Sequence, residues 1–471
     1  MTDSVACASA VLGQLLAQGV TDLVLAPGSR SAPLALVGDA AARAGRLRLH
    51  VRVDERSAGF LALGLAKASG RCVPIVTTSG TAVGNLLPAV MEASHAGVGV
   101  VVVSADRPAA LVGFGANQTT DQVGIFGGFV RYAARVTSAA GPATWTAQTA
   151  RACLAAASGP VHLNVELDVP LVPAEPVTPV VLLTPVVPLA PAEPATAAVT
   201  NPPPSVESAR DMTGANSTQG GVWGAEASVE SLIDAAAPLT RPGSAAPTPI
   251  ELPAGPRTVV VAGDAPPAVG AAAVALARAA GLPLLAEPSS NARVAPALRC
   301  GRLVLTTALA DEVERVLVFG HPTLSRPVMR LLARPDVEVV AIGDGDWPDP
   351  GHRVRLVAPA VTVPPSDPAW LRRWQDADAA ASERVDAVLA DEDPTGWTLA
   401  QAVWRAASGQ PLVLGSSQPI RDADLTEVAV HPPVVYANRG LAGIDGTIST
   451  AAGIALATGR PTTLLCGDLT F

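Results

Sequence analysis

Over the first third of the chain, short runs of Val, Leu and Ile alternate with longer Ala-rich stretches in which apolar residues dominate one or more faces. Thr21–Ala26, Leu47–Val53, Val73–Thr77 and Gly97–Ser104 read as strands. Val5–Gln18, Ser57–Ala68 and Ala82–Ala93 read as helices. Strands separated by helical stretches predict a parallel sheet covered on both faces. The alternation resumes at Arg257. Thr258–Ala262, Leu282–Ala286, Val316–Phe319, Val337–Ile342 and Val354–Val357 are expected as strands, with a helix at Ala268–Ala280. Asp367–Asp391 reads as a polar, Ala-rich helix, and a third α/β segment begins near Thr398 and is still running at Phe471. The expected fold is α/β, with three doubly wound parallel-sheet domains at 1–175, 257–365 and 398–471 and a connecting helix at 366–397.

Between the first two domains, at 176–256, prolines recur among Ala, Ser, Thr and Gly, including the triplet Pro202–Pro204. Such a segment cannot bury enough apolar surface to offset its ordering entropy. It is expected to be a linker, largely mobile from about Thr196 to Pro249.

One stretch recurs. Gly64-Leu-Ala-Lys-Ala-Ser-Gly-Arg71 matches Gly453-Ile-Ala-Leu-Ala-Thr-Gly-Arg460, and each copy leads into a strand, Val73–Thr77 or Thr462–Cys466. Two Ala/Gly-rich helix ends can agree by chance. The alternative is duplication, with the first and third domains built on one plan.

Composition narrows the class. Hydrophobic residues make up 49% of the 471 positions, mostly Ala, Val and Leu, enough for several cores of buried parallel strands. The net charge of −9 and scattered Lys and Arg disfavour nucleic acid as a partner, though local arginines can still hold small anions. Cys7, Cys72, Cys153, Cys300 and Cys466 are odd in number and far apart, which disfavours a disulfide framework or metal cluster and suits a reducing cytoplasm. The start lacks a basic region ahead of an apolar stretch, so no signal peptide is expected. No uninterrupted apolar run reaches the ~18 residues that span a bilayer, so a soluble protein is expected.

Candidate chemistry lies where strands end. Gly467-Asp468 follows the strand Thr462–Cys466, which puts a carboxylate at a sheet rim; it can bind a divalent cation or simply cap a helix. Glu55 stands where a strand gives way to an apolar helix, either as a partly desolvated acid that shares a proton or as a solvated acid favoured by the helix dipole. Two loops rich in small and hydroxyl residues, Ala26–Pro33 and Thr77–Asn85, the second containing Thr78, Ser79 and Gly80, can meet a polar ligand or serve as ordinary turns. Neither is a Walker loop or a dinucleotide fingerprint. Arg30, Arg107, Arg326, Arg421 and Arg439 recur at strand or loop ends, where the guanidinium fork suits carboxylates.

Taken together these segments resemble the 2-succinyl-5-enolpyruvyl-6-hydroxy-3-cyclohexene-1-carboxylate synthase family of thiamine-diphosphate-dependent enzymes. The resemblance rests on Ala-Pro-Gly-Ser-Arg-Ser-Ala-Pro-Leu, Asp-Glu-Arg-Ser-Ala-Gly-Phe, Thr-Thr-Ser-Gly-Thr-Ala-Val-Gly-Asn-Leu-Leu-Pro, Ser-Ala-Asp-Arg-Pro, Gly-Ala-Asn-Gln, Ala-Asn-Arg-Gly-Leu-Ala-Gly-Ile-Asp-Gly and Gly-Asp-Leu-Thr, in the family's order. It implies a pyrimidine-binding first domain and a pyrophosphate-binding third domain of one topology. Thiamine diphosphate and Mg2+ would lie between them across the interface of a homodimer or dimer of dimers. It implies Glu55 as the catalytic acid on the aminopyrimidine and Asp468 as a metal ligand. Thr78, Ser79, Gly80, Ile444 and Gly467 would line the cofactor. Arg30, Arg107 and Gln118 would contact isochorismate, and Ser417, Arg421 and Arg439 the part derived from 2-oxoglutarate, with Arg326 a basic position of the middle domain. The implied reaction decarboxylates 2-oxoglutarate and adds the resulting carbanion to isochorismate, a step of menaquinone biosynthesis.

The family motif places an Asn beyond the last residue here, so the resemblance implies an incomplete third domain and little or no turnover by this polypeptide as given. Two alternatives stay open: another thiamine-diphosphate enzyme, such as an acetolactate synthase or 2-oxoacid decarboxylase, and a non-catalytic copy.

Overall fold

The computed structural model describes residues 3–172, 248–343, 347–391 and 394–471. The linker expected at 176–256 lies outside the described residues as far as 247.

The amino-terminal sheet is parallel throughout, in the order β2-β1-β3-β4-β6-β5. Its strands are β1 (Asp22–Leu25), β2 (Arg48–Val51), β3 (Val73–Thr77), β4 (Val100–Asp106), β5 (Tyr132–Thr137) and β6 (Val161–Glu166). Every residue of β3, β4 and β6 is buried, as expected for central strands covered on both faces. Helices α1 (Asp3–Ala17) and α6 (Pro142–Ala155) belong to the core on one face; α3 (Glu55–Ser69) and α5 (Leu87–Ala96) belong to the core on the other. The helix expected at Ala82–Ala93 is two: α4 (Thr81–Gly84) and α5, which starts afresh with Pro88 in its first turn. Proline suits a first turn and disrupts a helix interior, so it divides the apolar run.

The central sheet is also parallel, in the order β10-β9-β8-β11-β12-β13. It comprises β8 (Thr258–Ala262), β9 (Leu284–Ala286), β10 (Ala297–Leu298), β11 (Arg315–Phe319), β12 (Glu338–Ile342) and β13 (Val354–Ala358). Ahead of it, β7 (Ile250–Glu251) pairs with β14 (Val361–Thr362). Helices α7 (Pro267–Ala280), α8 (Gly301–Val304) and α9 (Arg326–Leu332) flank the sheet. The long α10 (Pro368–Asp391) buries Trp370 and Trp374 in the core, and the Trp370 indole N–H donates to the Thr258 carbonyl at 2.9 Å.

The third sheet, β16-β15-β17, contains β15 (Pro411–Leu414), β16 (Val434–Tyr436) and β17 (Thr463–Leu465), with helices α11 (Gly396–Ala406), α12 (Gln418–Ala423) and α13 (Thr447–Thr458). Its order repeats β2-β1-β3. The interval from Gly64 to Gly453, 389 positions, also carries Asp22–Leu25 onto Pro411–Leu414. It carries the β1–β3 pairing of Val24 with Ile75 onto that of Val413 with Leu464. Chance agreement of two helix ends does not extend to strand order and register, so the repeat is a duplicated plan.

The two copies pack through the repeated helices. A Cβ on Gly64 would stand 2.1 Å from the Thr450 carbonyl oxygen, and one on Gly453 would stand 2.3 Å from that of Leu61. Thr450 and Leu61 each lie three positions ahead of the glycine of their own helix, so α3 and α13 cross about a local pseudo-twofold axis. The crossing also explains why α3 is buried without a break from Ala58 to Ala66: its own sheet covers one side and α13 the other. The central domain grips the carboxy-terminal copy through Asn291. Its side-chain amide donates to the Val435 carbonyl at 3.0 Å and accepts from the Val435 N–H at 2.9 Å. Among the described residues, no helix is long and apolar enough to cross a membrane.

Candidate active site

Four adjacent strands of the amino-terminal sheet, β2, β1, β3 and β4, send their carboxyl ends to one rim, where ligands of open α/β sheets bind. Glu55, Arg30, Thr78–Gly80 and Arg107 follow these strands in that order. Asp54 caps α3 by accepting from the Ser57 N–H at 2.7 Å, which fixes Glu55 in the first helical turn. Glu55 is half-buried, and one of its carboxylate oxygens accepts from the Asn85 amide at 3.1 Å.

Arg107 is buried, and its Nη1 donates to Ser79 Oγ and to the Gln118 carbonyl, each at 2.8 Å. The Gln118 side chain returns a hydrogen bond to the Ser79 carbonyl at 2.9 Å. Arg30 donates to the Leu167 carbonyl at 2.8 Å. Burial, and then the charge of Arg107, lower the Arg30 pKa, with Asp168 and Asp106 opposing. Two cations held close enough to repel mark a place where an anion is stabilised.

A buried polar network supports this rim. Gln122 accepts from the Gly80 N–H at 3.2 Å and donates to the Ala105 carbonyl at 3.0 Å and to Asn164 Oδ1 at 2.7 Å. Asn164 in turn donates to Asp106 at 2.9 Å, and Asp106 accepts from the Arg107 N–H at 2.8 Å. The loops after β3 and β4 are thus tied to one set of fully partnered side chains. Ser104 and His162 sit beneath at 2.7 Å. Burial lowers the His162 pKa to about 4, so the ring is neutral at neutral pH and serves as core structure.

The second rim belongs to the third sheet. Ser417 follows β15, and Gly467-Asp468 follows its neighbour β17. A Cβ on Gly467 would lie 3.6 Å from Ser417 Oγ, so the two loops are adjacent. Asp468 and Arg421 are exposed, and Arg421 folds back onto the Ser417 carbonyl at 3.0 Å. Arg439, after β16, is buried; its Nη2 donates to Thr323 Oγ1 of the central domain at 2.6 Å, while its Nε is unpartnered. Beneath Thr323 lies Glu287, which accepts from the Leu324 N–H at 2.8 Å and the Thr323 N–H at 3.3 Å. Burial drives the Glu287 pKa up to about 7, against the pull of those N–H groups and Arg439. Ile444 is partly exposed, in the loop that Arg56 ties down through Asp445 at 2.6 Å.

The structure therefore gathers Arg30, Thr78, Ser79, Gly80, Arg107 and Gln118 with Glu55 on one rim, and Ser417, Arg421, Gly467 and Asp468 on the other. Arg439 reaches the central domain by way of Thr323, and Arg326 is exposed at the start of α9. No hydrogen bond or ion pair joins Glu55 to Asp468 among the described residues. Sequence reasoning missed Asn85, Glu92, Gln122, Asn164 and Glu287. A carboxylate alone among apolar neighbours, as Glu92 is in Leu-Pro-Ala-Val-Met-Glu-Ala, was a usable signal. Asn164 and Glu287 had none, because their partners come from other strands and loops.

An acid at a strand–helix junction thus lies beside a hydroxyl and guanidinium rim, in a sheet whose plan the chain repeats. Residues 6–125 match the family described as "Thiamine pyrophosphate enzyme, N-terminal TPP binding domain". The relatives are more specific. The 2-succinyl-5-enolpyruvyl-6-hydroxy-3-cyclohexene-1-carboxylate synthase of Kineococcus radiotolerans is 46% identical over all of this chain and 79% of its own length. That of a Nocardioides species is 47% identical over 99% of the chain and 77% of its own length. That of an Arthrobacter species is 45% identical over 97% and 71%. The chain belongs to the 2-succinyl-5-enolpyruvyl-6-hydroxy-3-cyclohexene-1-carboxylate synthase family.

Proposed function

We propose that this chain serves the activity its relatives are named for, as a thiamine-diphosphate-dependent transferase of menaquinone biosynthesis that joins 2-oxoglutarate to isochorismate in the cytoplasm. The carrying observation is the Arg30–Arg107 pair at the first rim: two partly desolvated cations, Arg107 locked by Ser79 and Gln118 and Arg30 by the Leu167 carbonyl, suit the carboxylates of isochorismate.

The residues present suit the cofactor. Asn85 holds one oxygen of Glu55, and the other has no partner among the described residues, so the carboxyl can meet an aminopyrimidine nitrogen. Asp468 would give Mg2+ one carboxylate oxygen, and Gly467 beside Ser417 would allow the close approach of a diphosphate. When bound, thiamine diphosphate supplies the electron sink for loss of CO2. The protein's own tasks are to hold or release a proton at Glu55 and to orient two anionic substrates. Arg30, Arg107 and Gln118 orient isochorismate; Ser417, Arg421 and Arg439 orient the 2-oxoglutarate portion; Ile444 supports the cofactor. By the family resemblance, the reading includes a homodimer or dimer of dimers, with the cofactor held between one subunit's first rim and its partner's second.

Calorimetric titration with isochorismate, in the presence of thiamine diphosphate and Mg2+, tests this reading. The parent chain should bind, and Arg107→Ala should weaken binding by about 10- to 100-fold, the range for a charge-assisted hydrogen bond. An acetolactate synthase or another 2-oxoacid decarboxylase would ignore isochorismate. Absence of binding, or binding indifferent to Arg107, would overturn the assignment.

A further inference from the structure

The loop that bears Arg439 and Ile444, from Ala437 to Gly446, is held from both copies: within its own, Ser416 donates to the Asn438 carbonyl and Asn438 to Thr450 Oγ1, and helices of the other copy supply the rest. Lys67 on α3 donates to the Ala437 carbonyl. Glu92 on α5 accepts from the Gly440 N–H at 2.8 Å and from the Leu441 N–H at 2.7 Å. Arg56 on α3 pairs with Asp445. The loop backbone lies directly on α5: a Cβ on Gly440 would stand 2.6 Å from the Glu92 carbonyl oxygen and 2.9 Å from the Ala96 nitrogen. Arg439 is thus bracketed by anchors at 437 and 440.

Glu92 is only 4% exposed. A carboxylate that far from water is costly unless it is paired, and its partners here are two backbone N–H groups of a different domain and the neighbouring Lys67. An uncharged side chain could pack α5 against this loop without that cost. Two acceptor oxygens on one side chain hold two adjacent N–H groups in one position.

We propose that Glu92 is a positioning residue for the reaction: its carboxylate, carried on a rigid helix of the first domain, fixes the Gly440–Leu441 backbone and thereby sets where Arg439 meets substrate. This rests on the reading of Arg439 as a substrate contact. A guanidinium displaced by about 1 Å loses on the order of 100-fold in productive alignment, so a small slip of the loop is consequential.

The test combines hydrogen exchange at the Gly440 and Leu441 amides with calorimetric titration of 2-oxoglutarate, both with thiamine diphosphate and Mg2+ bound. In Glu92→Ala, exchange at both amides should accelerate by about 100-fold or more while the amides of α5 stay protected, and 2-oxoglutarate should bind about 10- to 100-fold more weakly. Glu92→Gln keeps one acceptor oxygen and should restore much of both. Gly440→Ala lifts the same loop from α5 and should reproduce the loss while Glu92 is intact. Unchanged protection at both amides in Glu92→Ala overturns the clamp, whatever the substrate. Faster exchange with unchanged 2-oxoglutarate affinity, in a protein whose Arg439→Ala variant binds weakly, overturns the positioning role alone. An Arg439→Ala variant that binds normally removes the premise and the proposal with it.

Discussion

The two copies of the α/β plan keep one scaffold and differ by moving chain length between loops. Asp22 to Gly64 and Pro411 to Gly453 both span 42 positions. The paired strand positions fall differently within them: Arg48 lies opposite Asp22 after 26 positions, and Val434 opposite Pro411 after 23. The amino-terminal copy spends its residues on α2 (Ala32–Arg43), twelve residues long, and enters α3 almost directly from β2. That places Glu55 on a capped helix start. The carboxy-terminal copy shortens the matching helix, α12, to six residues and has three more after β16. Those residues help build the loop that presents Arg439 and Ile444. Nine positions ahead of the shared glycine, one copy has Glu55 and the other Ile444. Parallel register tolerates no such shift without turning side chains to the wrong face, so divergence concentrates in the loops and short helices at the carboxyl ends of the strands.

The shared part of the comparison breaks most readily at the helix crossing. Gly64→Val and Gly453→Val each drive a side chain into backbone of the other copy. Each should cost about 3 kcal/mol and lower the apparent Tm by several degrees, to a similar extent. Gly84→Val, at a site with open space, is the control. A variant pair with very unequal losses would refute the pseudo-twofold crossing.

The pH dependence should next separate the amino-terminal copy from the central domain, on which the other copy's Arg439 rests. In the amino-terminal sheet, burial pushes Asp22 up, but hydrogen bonds from His50 and Arg48 prevail and hold its pKa below the usual carboxylate value. Its contribution is therefore present above that value and lost as the pH falls through the folded pKa. Glu287, under the carboxy-terminal Arg439, behaves oppositely. Its pKa rises from 4.5 to about 7, so the folded state binds the extra proton and stability falls as the pH rises through that window, by on the order of 3 kcal/mol. Thermal unfolding across pH should show Asp22→Asn flattening the acid limb, and Glu287→Gln flattening the slope between pH 4.5 and about 7. Unaltered slopes in both variants would contradict the assignment.

The smallest effect sharpens the symmetry. Gly70 and Gly459 end α3 and α13 with φ of 66° and 63°. Gly70→Ala and Gly459→Ala should each cost about 1 kcal/mol, the penalty for a Cβ in the left-handed region, with matched falls in Tm.

Much of this protein was legible before folding was considered. Valine runs broken by Ala-rich helices fix a parallel sheet, because only strands covered on both faces can be apolar without alternation. Thr258–Ala262 and Val73–Thr77 begin and end in the structure where the apolar pattern does. The repeated glycine octet located the duplication, and residues at strand ends located both rims, because side chains there lie at a sheet edge whatever the rest of the chain does. Pro88 was the local exception, dividing what composition alone made one helix.

Tertiary structure alone decided which distant groups meet beneath and between those rims. Glu92 finds the Gly440 and Leu441 amides nearly 350 positions away, Asn291 finds Val435, and Glu287 titrates near 7 because parts of two domains close over it. Hydrogen bonds and desolvation act over a few ångströms of space, and no pattern along a chain records which distant segments will share those few ångströms.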